Sequence, residues 1–233
     1  MRDRGPGGVI PRRVTLWQGR SEDRADTLAA DAALLAPDEL ERLRRLRTPL
    51  AARRYAAAHA AVRRRLGAVL DVDPVRVPLG RGPCPVCGER RHGPPVVRMP
   101  ADGPALSYSL SRSGPHWMLA VAPGHPVGVD LERERPLDVD AVARAAFSAR
   151  ERRAVAGAGG RALAFRCWTR KEAVAKATGH GIAMDLRAVE TRPRDPGPVR
   201  VAAGWQVYSL FPGGSLHAAV AVPEGEPGPV CRW

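Results

Sequence analysis

Residues 127–132 read Val127-Gly128-Val129-Asp130-Leu131-Glu132, an apolar run that turns acidic at its end. The pattern predicts a strand, and residues two apart on a strand share a face. Asp130 and Glu132 are therefore expected side by side, with Leu131 turned to the core. Two carboxylates so placed repel unless a cation sits between them. Upstream, Leu106–Leu110 and Trp117–Val121 alternate as paired strands, and Val14–Trp17 is a short opening strand. The Gly, Pro and Arg-rich extreme N terminus is expected to be disordered, and Leu79–Pro95 reads as a loop. Between these, Pro37, Asp38 and Glu39 start a helix carrying Leu40, Leu43 and Leu46, which Pro49 interrupts. A second helix over Ala51–Val69 puts Tyr55, Ala58, Val62, Leu66 and Val69 on one face and arginines on the other. Downstream, Asp138–Ala156 and Ala162–Thr178 read as helices bounded by glycines, and Trp205–Phe211 and His217–Val222 as strands. Each half thus holds helices followed by strands. That order predicts an α+β protein of two similar subdomains, 1–126 and 127–233.

The second informative stretch is Trp168-Thr169-Arg170-Lys171-Glu172-Ala173-Val174-Ala175-Lys176, inside the helix expected over Ala162–Thr178. Positions 168, 172 and 176 are spaced i, i+4 and i+8, so an indole, a carboxylate and an ammonium line one stripe. Such a stripe can act as anchor, metal ligand and phosphate clamp. Taken alone, it is also what a surface Glu–Lys pair looks like, just as Asp-x-Glu alone is also an ordinary ion-pair partner.

The chain has 233 residues, 37 basic against 24 acidic, for a formal net charge of +13. That balance favours polyanions: phosphorylated cofactors, acidic proteins or nucleic acid. Nucleic-acid modules add a groove-reading helix or an aromatic stacking platform, and with aromatics at 5% no such platform is apparent. Only two of the basic residues are lysines, Lys171 and Lys176, in a chain that otherwise uses arginine. A lysine that persists there suggests a site needing a compact ammonium, as a tight phosphate site does. No apolar stretch approaches the ~20 residues that span a bilayer, and no secretory pattern opens the chain, so a cytoplasmic protein with reduced cysteines is expected.

Together the two acidic motifs resemble those of the Sfp-type 4'-phosphopantetheinyl transferases, whose hallmark is Gly-Val/Ile-Asp-x-Glu followed by Trp-x-x-Lys-Glu-x-x-x-Lys. Here Glu132 and Glu172 lie 172 − 132 = 40 positions apart, as in the family. Pro37–Arg63, Cys84–Pro95, Leu110-Ser111-Arg112-Ser113-Gly114, Phe147–Glu151 and Gly179-His180-Gly181 follow in the family's order. The resemblance implies two pseudosymmetric subdomains, each a long helix on a small antiparallel sheet. It places the coenzyme A adenylate in the first subdomain and the magnesium motifs in the second. It implies transfer of 4'-phosphopantetheine from coenzyme A to a serine of an apo acyl or peptidyl carrier protein, releasing adenosine 3',5'-bisphosphate. Asp130, Glu132 and Glu172 would bind Mg2+, Glu172 would take the serine proton, and Lys176 would neutralise phosphate charge. Arg42, Arg54, Ser111 and Arg112 would hold the coenzyme. Chains of this length are expected to act as monomers, on acidic carriers, without nucleic acid or membrane.

Two departures from the family stand out. Arg112 replaces a histidine in the Ser-His-Ser-Gly segment, and Pro94 replaces a lysine in Gly-Lys-Pro. A guanidinium still donates to phosphate but does not titrate near neutrality. The alternatives are therefore a weakened coenzyme A-binding relative and, on arginine content alone, a basic nucleic-acid-binding protein. Cys84, Cys87 and His92 form a half-site for zinc, but no second Cys-x-x-Cys or His pair lies at suitable spacing. The remaining histidines, His59, His116, His125, His180 and His217, are expected on surfaces or loops.

Overall fold

The computed structural model describes residues 11–21, 26–99, 105–157, 159–201 and 204–232. The expectation for the extreme N terminus lies outside them. Alternating apolar residues build a six-stranded sheet in the order β10-β1-β5-β4-β3-β2. Its members are β1 (Thr15–Arg20), β2 (Leu79–Arg81), β3 (Pro95–Val97), β4 (Leu106–Ser113), β5 (His116–Pro123) and β10 (Val230–Arg232). A four-stranded sheet, β6-β9-β8-β7, comprises β6 (Gly128–Arg133), β7 (Val199–Val201), β8 (Trp205–Leu210) and β9 (Leu216–Pro223). Among the described residues the strand pairs are antiparallel except β1–β10, which runs parallel and brings Val230–Arg232 back beside the first strand.

The pleat decides the layering. Leu16, Met118 and Ala120 of the first sheet and Val129, Leu131 and Val220 of the second share one core, so the sheets pack face to face. Their neighbours Trp17, Trp117, Leu119 and Val121 turn to the outer face and meet Ala58, Val62 and Leu66 of α3 (Pro49–Leu70). On the far side, Ala219 and Ala221 meet Ala173, Val174 and Ala177 of α6 (Gly160–Ala177). The result is a helix, two sheets and a second helix in layers, which is the expected α+β class.

Local chemistry sets the helix ends. Thr48 caps α3, its Oγ1 accepting from Ala51 N at 3.2 Å, and Pro49 takes the first helical position, where no N–H is needed. Pro49 thus separates α3 from α2 (Pro37–Arg44). The helix expected over Asp138–Ala156 is instead two: α4 (Val139–Ala146) and α5 (Ala149–Val155). Phe147 is extended and fully buried between them, and Ser148 restarts the helix through a reciprocal cap with Glu151. The stretch 79–95, expected as a loop, carries β2 and the start of β3, and residues 27–32 form a short helix, α1 (Thr27–Ala32), that was not expected. Arg63 departs from the expected exposed arginine face of α3. It is buried, binds Glu39 at 2.7 Å and donates to the carbonyls of Pro74, Val75 and Val77. No helix among the described residues is long and apolar enough to cross a membrane.

Candidate active site

Gly128 fixes where the acidic strand meets α6. A Cβ there would lie 2.0 Å from Ala173 O and 2.4 Å from Ala177 N, so only glycine lets β6 approach the helix backbone this closely. Because β6 is an edge strand paired with β9 alone, half of its backbone groups face away from the sheet. Serines at alternate positions of β4 meet them. Ser109 Oγ accepts from Val129 N at 3.1 Å, and Ser113 Oγ accepts from Arg133 N at 3.0 Å. The same row reaches the acids: Ser111 Oγ donates to Asp130 Oδ1 at 2.8 Å and Ser113 Oγ to Glu132 Oε2 at 2.7 Å. This serine ladder joins the two sheets and orients both carboxylates, and the period-two spacing of Ser109, Ser111 and Ser113 was the signal for it in the sequence.

Lys176 reaches across from α6. Its Nζ lies 2.7 Å from Asp130 Oδ1, 3.0 Å from Ser111 Oγ and 3.1 Å from Val129 O, which occupies all three ammonium donors. Glu172 stands one turn earlier on the same helix, half-buried, with no hydrogen bond seen among the described residues. Burial raises its carboxyl above the usual range, and the charges of Asp130 and Glu132 push it further up while Lys176 opposes them. Asp130 Oδ2 is buried and likewise lacks a partner. Glu132 also meets Arg135 at 3.3 Å. The expected residues thus gather in one electrostatic neighbourhood. Their ligand atoms are not drawn into one tight trio: among the described residues the group within 4.8 Å of one another is Cys84, Cys87 and His92.

Hard oxygen donors, one of them a buried orphan and another a carboxylate without a partner, fit a magnesium ion, which binds through a few carboxylates and substrate phosphates. The basic residues lie around them. The exposed Arg112 stands over the ring of Tyr55, with its Cζ 5.1 Å from the centroid, and the charges of Arg42 and Arg112 both act on Tyr55. Arg54 of α3 acts on His116, at the end of β4–β5, together with Arg20 and Arg133. A cavity of about 440 Å³ lined by residues including Arg20, Asp31, Arg64 and Trp117 shares none of the carboxylate residues.

Lys171, the other lysine, is fully buried, pairs with Glu151 at 2.7 Å and donates to Leu186 O and Val189 O. Three acceptors in a closed space suit an ammonium, and a planar guanidinium would not fit them. Trp168 of the same helix packs among the apolar side chains of α4 and α5, as an anchor. His59 and His217 lie within α3 and β9, where they pair with Glu39 and Glu134.

Comparison with known proteins gives the family. Residues 126–221 match the model of the 4'-phosphopantetheinyl transferase superfamily. The chain is 32% identical over 219 residues to the 4'-phosphopantetheinyl transferase HetI of Nostoc sp. (strain PCC 7120), covering 92% of this chain and 89% of that one. It is 35% identical over 142 residues to the 4'-phosphopantetheinyl transferase psf-1 of Bacillus pumilus, covering 57% of this chain and 59% of that one. It is also 30% identical over 190 residues to a phosphopantetheinyl transferase of Thraustochytrium sp., covering 75% and 62%.

Proposed function

Because the chain belongs to the 4'-phosphopantetheinyl transferase family, we propose that it transfers 4'-phosphopantetheine from coenzyme A to a serine hydroxyl of an apo acyl or peptidyl carrier protein, with Mg2+ held by Asp130, Glu132 and Glu172. The observation that carries this reading is the half-buried Glu172 without a hydrogen-bond partner, facing Asp130, Glu132 and Lys176. A half-buried acid kept beside two others makes sense where a cation and a proton are handled.

In this reading the bound ion supplies positive charge to the coenzyme's pyrophosphate. The residues of the chain do the rest. Arg42, Arg54 and Arg112 hold the anionic adenylate end, with Arg112 able to donate to phosphate in pairs where the family has a histidine. Ser111 keeps Asp130 Oδ1 oriented and presents its hydroxyl beside Lys176. Glu172, ionised, accepts the proton of the carrier serine. The serine oxygen then forms a bond to the phosphorus that carries pantetheine, and the bond from that phosphorus to the departing adenosine 3',5'-bisphosphate breaks. Lys176 offsets the negative charge that gathers on the leaving phosphate.

The net charge of +13 would steer an acidic carrier toward this surface, and the enzyme is expected to act as a pseudosymmetric monomer in the cytoplasm, without nucleic acid. Incubation of the purified chain with coenzyme A, Mg2+ and a panel of apo carriers tests the reading. Intact mass should rise by one phosphopantetheine on at least one carrier, and the gain should vanish with a chelator. No gain on any carrier would overturn it.

A further inference from the structure

A second constellation lies in the hairpin between β2 and β3, apart from the acidic cluster. Cys84, Cys87 and His92 each bring a ligand atom to within 4.8 Å of the other two. Cys87 Sγ stands 3.1 Å from His92 Nε2, and both cysteines are free thiols. The turn that carries them is closed by backbone bonds. Gly88 N donates to Cys84 O at 2.8 Å, and Cys84 N donates to Glu89 O at 3.1 Å. Gly88 has φ of 78°, a conformation that suits glycine and lets the chain fold back after the second cysteine.

We propose that Cys84, Cys87 and His92 bind one soft divalent cation of the zinc class, with water completing the coordination, and that this metal staples the hairpin. Zinc bonds of ~2.0–2.3 Å at tetrahedral angles put neighbouring ligand atoms about 3.5–3.8 Å apart, which the trio reaches with side-chain adjustment alone. Two thiols and a neutral imidazole suit zinc and exclude a hard ion such as magnesium. On binding, the two thiols lose their protons to solvent, so each metal taken up releases two protons.

The staple has a structural consequence. The hairpin is tied across its base by Gly82 N to Pro94 O at 2.8 Å and by Arg81 Nη1 to Gly93 O at 2.8 Å. Pro85 and Pro94 then rest against Gly179, where a Cβ would lie 3.3 Å from Pro94 Cγ. Gly179 follows α6 by less than one turn from Lys176. The metal therefore holds in place the loop that abuts the end of the helix bearing Glu172 and Lys176.

The test uses the full-length reduced, metal-free chain, titrated with Co2+ alone and then with Zn2+ alone. One Co2+ per chain should give an intense thiolate-to-cobalt absorption band with tetrahedral visible bands, and one Zn2+ should bleach both. Cobalt on the carboxylates gives no thiolate band, so the two sites are told apart. Cys87 and His92 are exposed, so the Cys87→Ser/His92→Ala variant should fold, as circular dichroism would verify, and should lose the thiolate band and bind Zn2+ at least tenfold more weakly. Absence of the band in the parent chain, or an unchanged Zn2+ affinity in the variant, would overturn the proposal. Either result leaves the transferase reading intact, because the carrier mass gain is measured separately.

Discussion

Lys176 Nζ and Asp130 Oδ1 lie 2.7 Å apart, and that contact joins the last turns of α6 to the edge strand β6. The lysine side chain is 30% exposed, so it holds the acid while remaining open to a ligand. Lys176→Ala should leave a folded protein, since Ser111 still holds Asp130, but turnover should fall by about 10²–10³, as expected when a fixed positive charge beside the developing phosphate charge is lost. Lys176→Arg should restore little, because a planar fork cannot reach Ser111, Val129 and Asp130 from one point. Steady-state rates of carrier modification, beside circular dichroism, check both.

Glu172 gives a pH signature. Burial, then the charge of Asp130, raises its carboxyl in the folded chain above its value in the unfolded chain. In the pH window between those values the folded state holds the extra proton, so stability declines as pH rises through it. Glu172→Gln, which cannot ionise, should therefore melt higher than the parent at neutral pH without divalent cations. Near about pH 4, where the parent acid is protonated, the difference should shrink. It should also shrink on adding Mg2+, which offsets the repulsion. Thermal unfolding under the three conditions checks this; an equal gain in all of them would point to a packing cause.

The buried pair of Lys171 and Glu151 is a stability device, with both side chains at 0% exposure. Burial alone would raise the Glu151 carboxyl, but Lys171, Thr191 and the N–H of Ser148 outweigh it and hold it below the usual range. Its contribution is thus present above the unfolded carboxylate range and is lost as pH falls through the lowered folded value. Lys171→Met leaves Glu151 buried without its counter-charge and should lower unfolding free energy by about 3–5 kcal/mol. Urea denaturation checks it, and a loss below about 1 kcal/mol, the range of a surface ion pair, would contradict the assignment.

Much of this was legible where a period repeats. The apolar stripe of α3 and the alternation in β4, β5, β6 and β9 carry their own evidence, and the shared face of Asp130 and Glu132 followed from strand geometry. The break at Phe147 was written in the sequence too, as Ser148 followed three residues later by Glu151, but the apolar residues on either side read as one helix. The parallel pairing of β10 with β1 had no local signal, because Val230–Arg232 is short, exposed and joined to its partner only by distant backbone bonds. The setting of Lys171 had no local signal for a related reason. Helical spacing says which residues share a stripe, but the acceptors at Leu186 and Val189 and the partner Glu151 come from other segments.

In the proposed mechanism Asp130, Glu132 and Glu172 serve one divalent cation. Mn2+ reports on it directly, because it favours oxygen donors and its unbound form is counted by electron paramagnetic resonance. In the presence of coenzyme A, one Mn2+ should bind per chain. Asp130→Asn, Glu132→Gln and Glu172→Gln should each weaken that binding by more than the roughly 10–100-fold that follows loss of an outer-shell partner. Unchanged affinity in all three variants would contradict the claim.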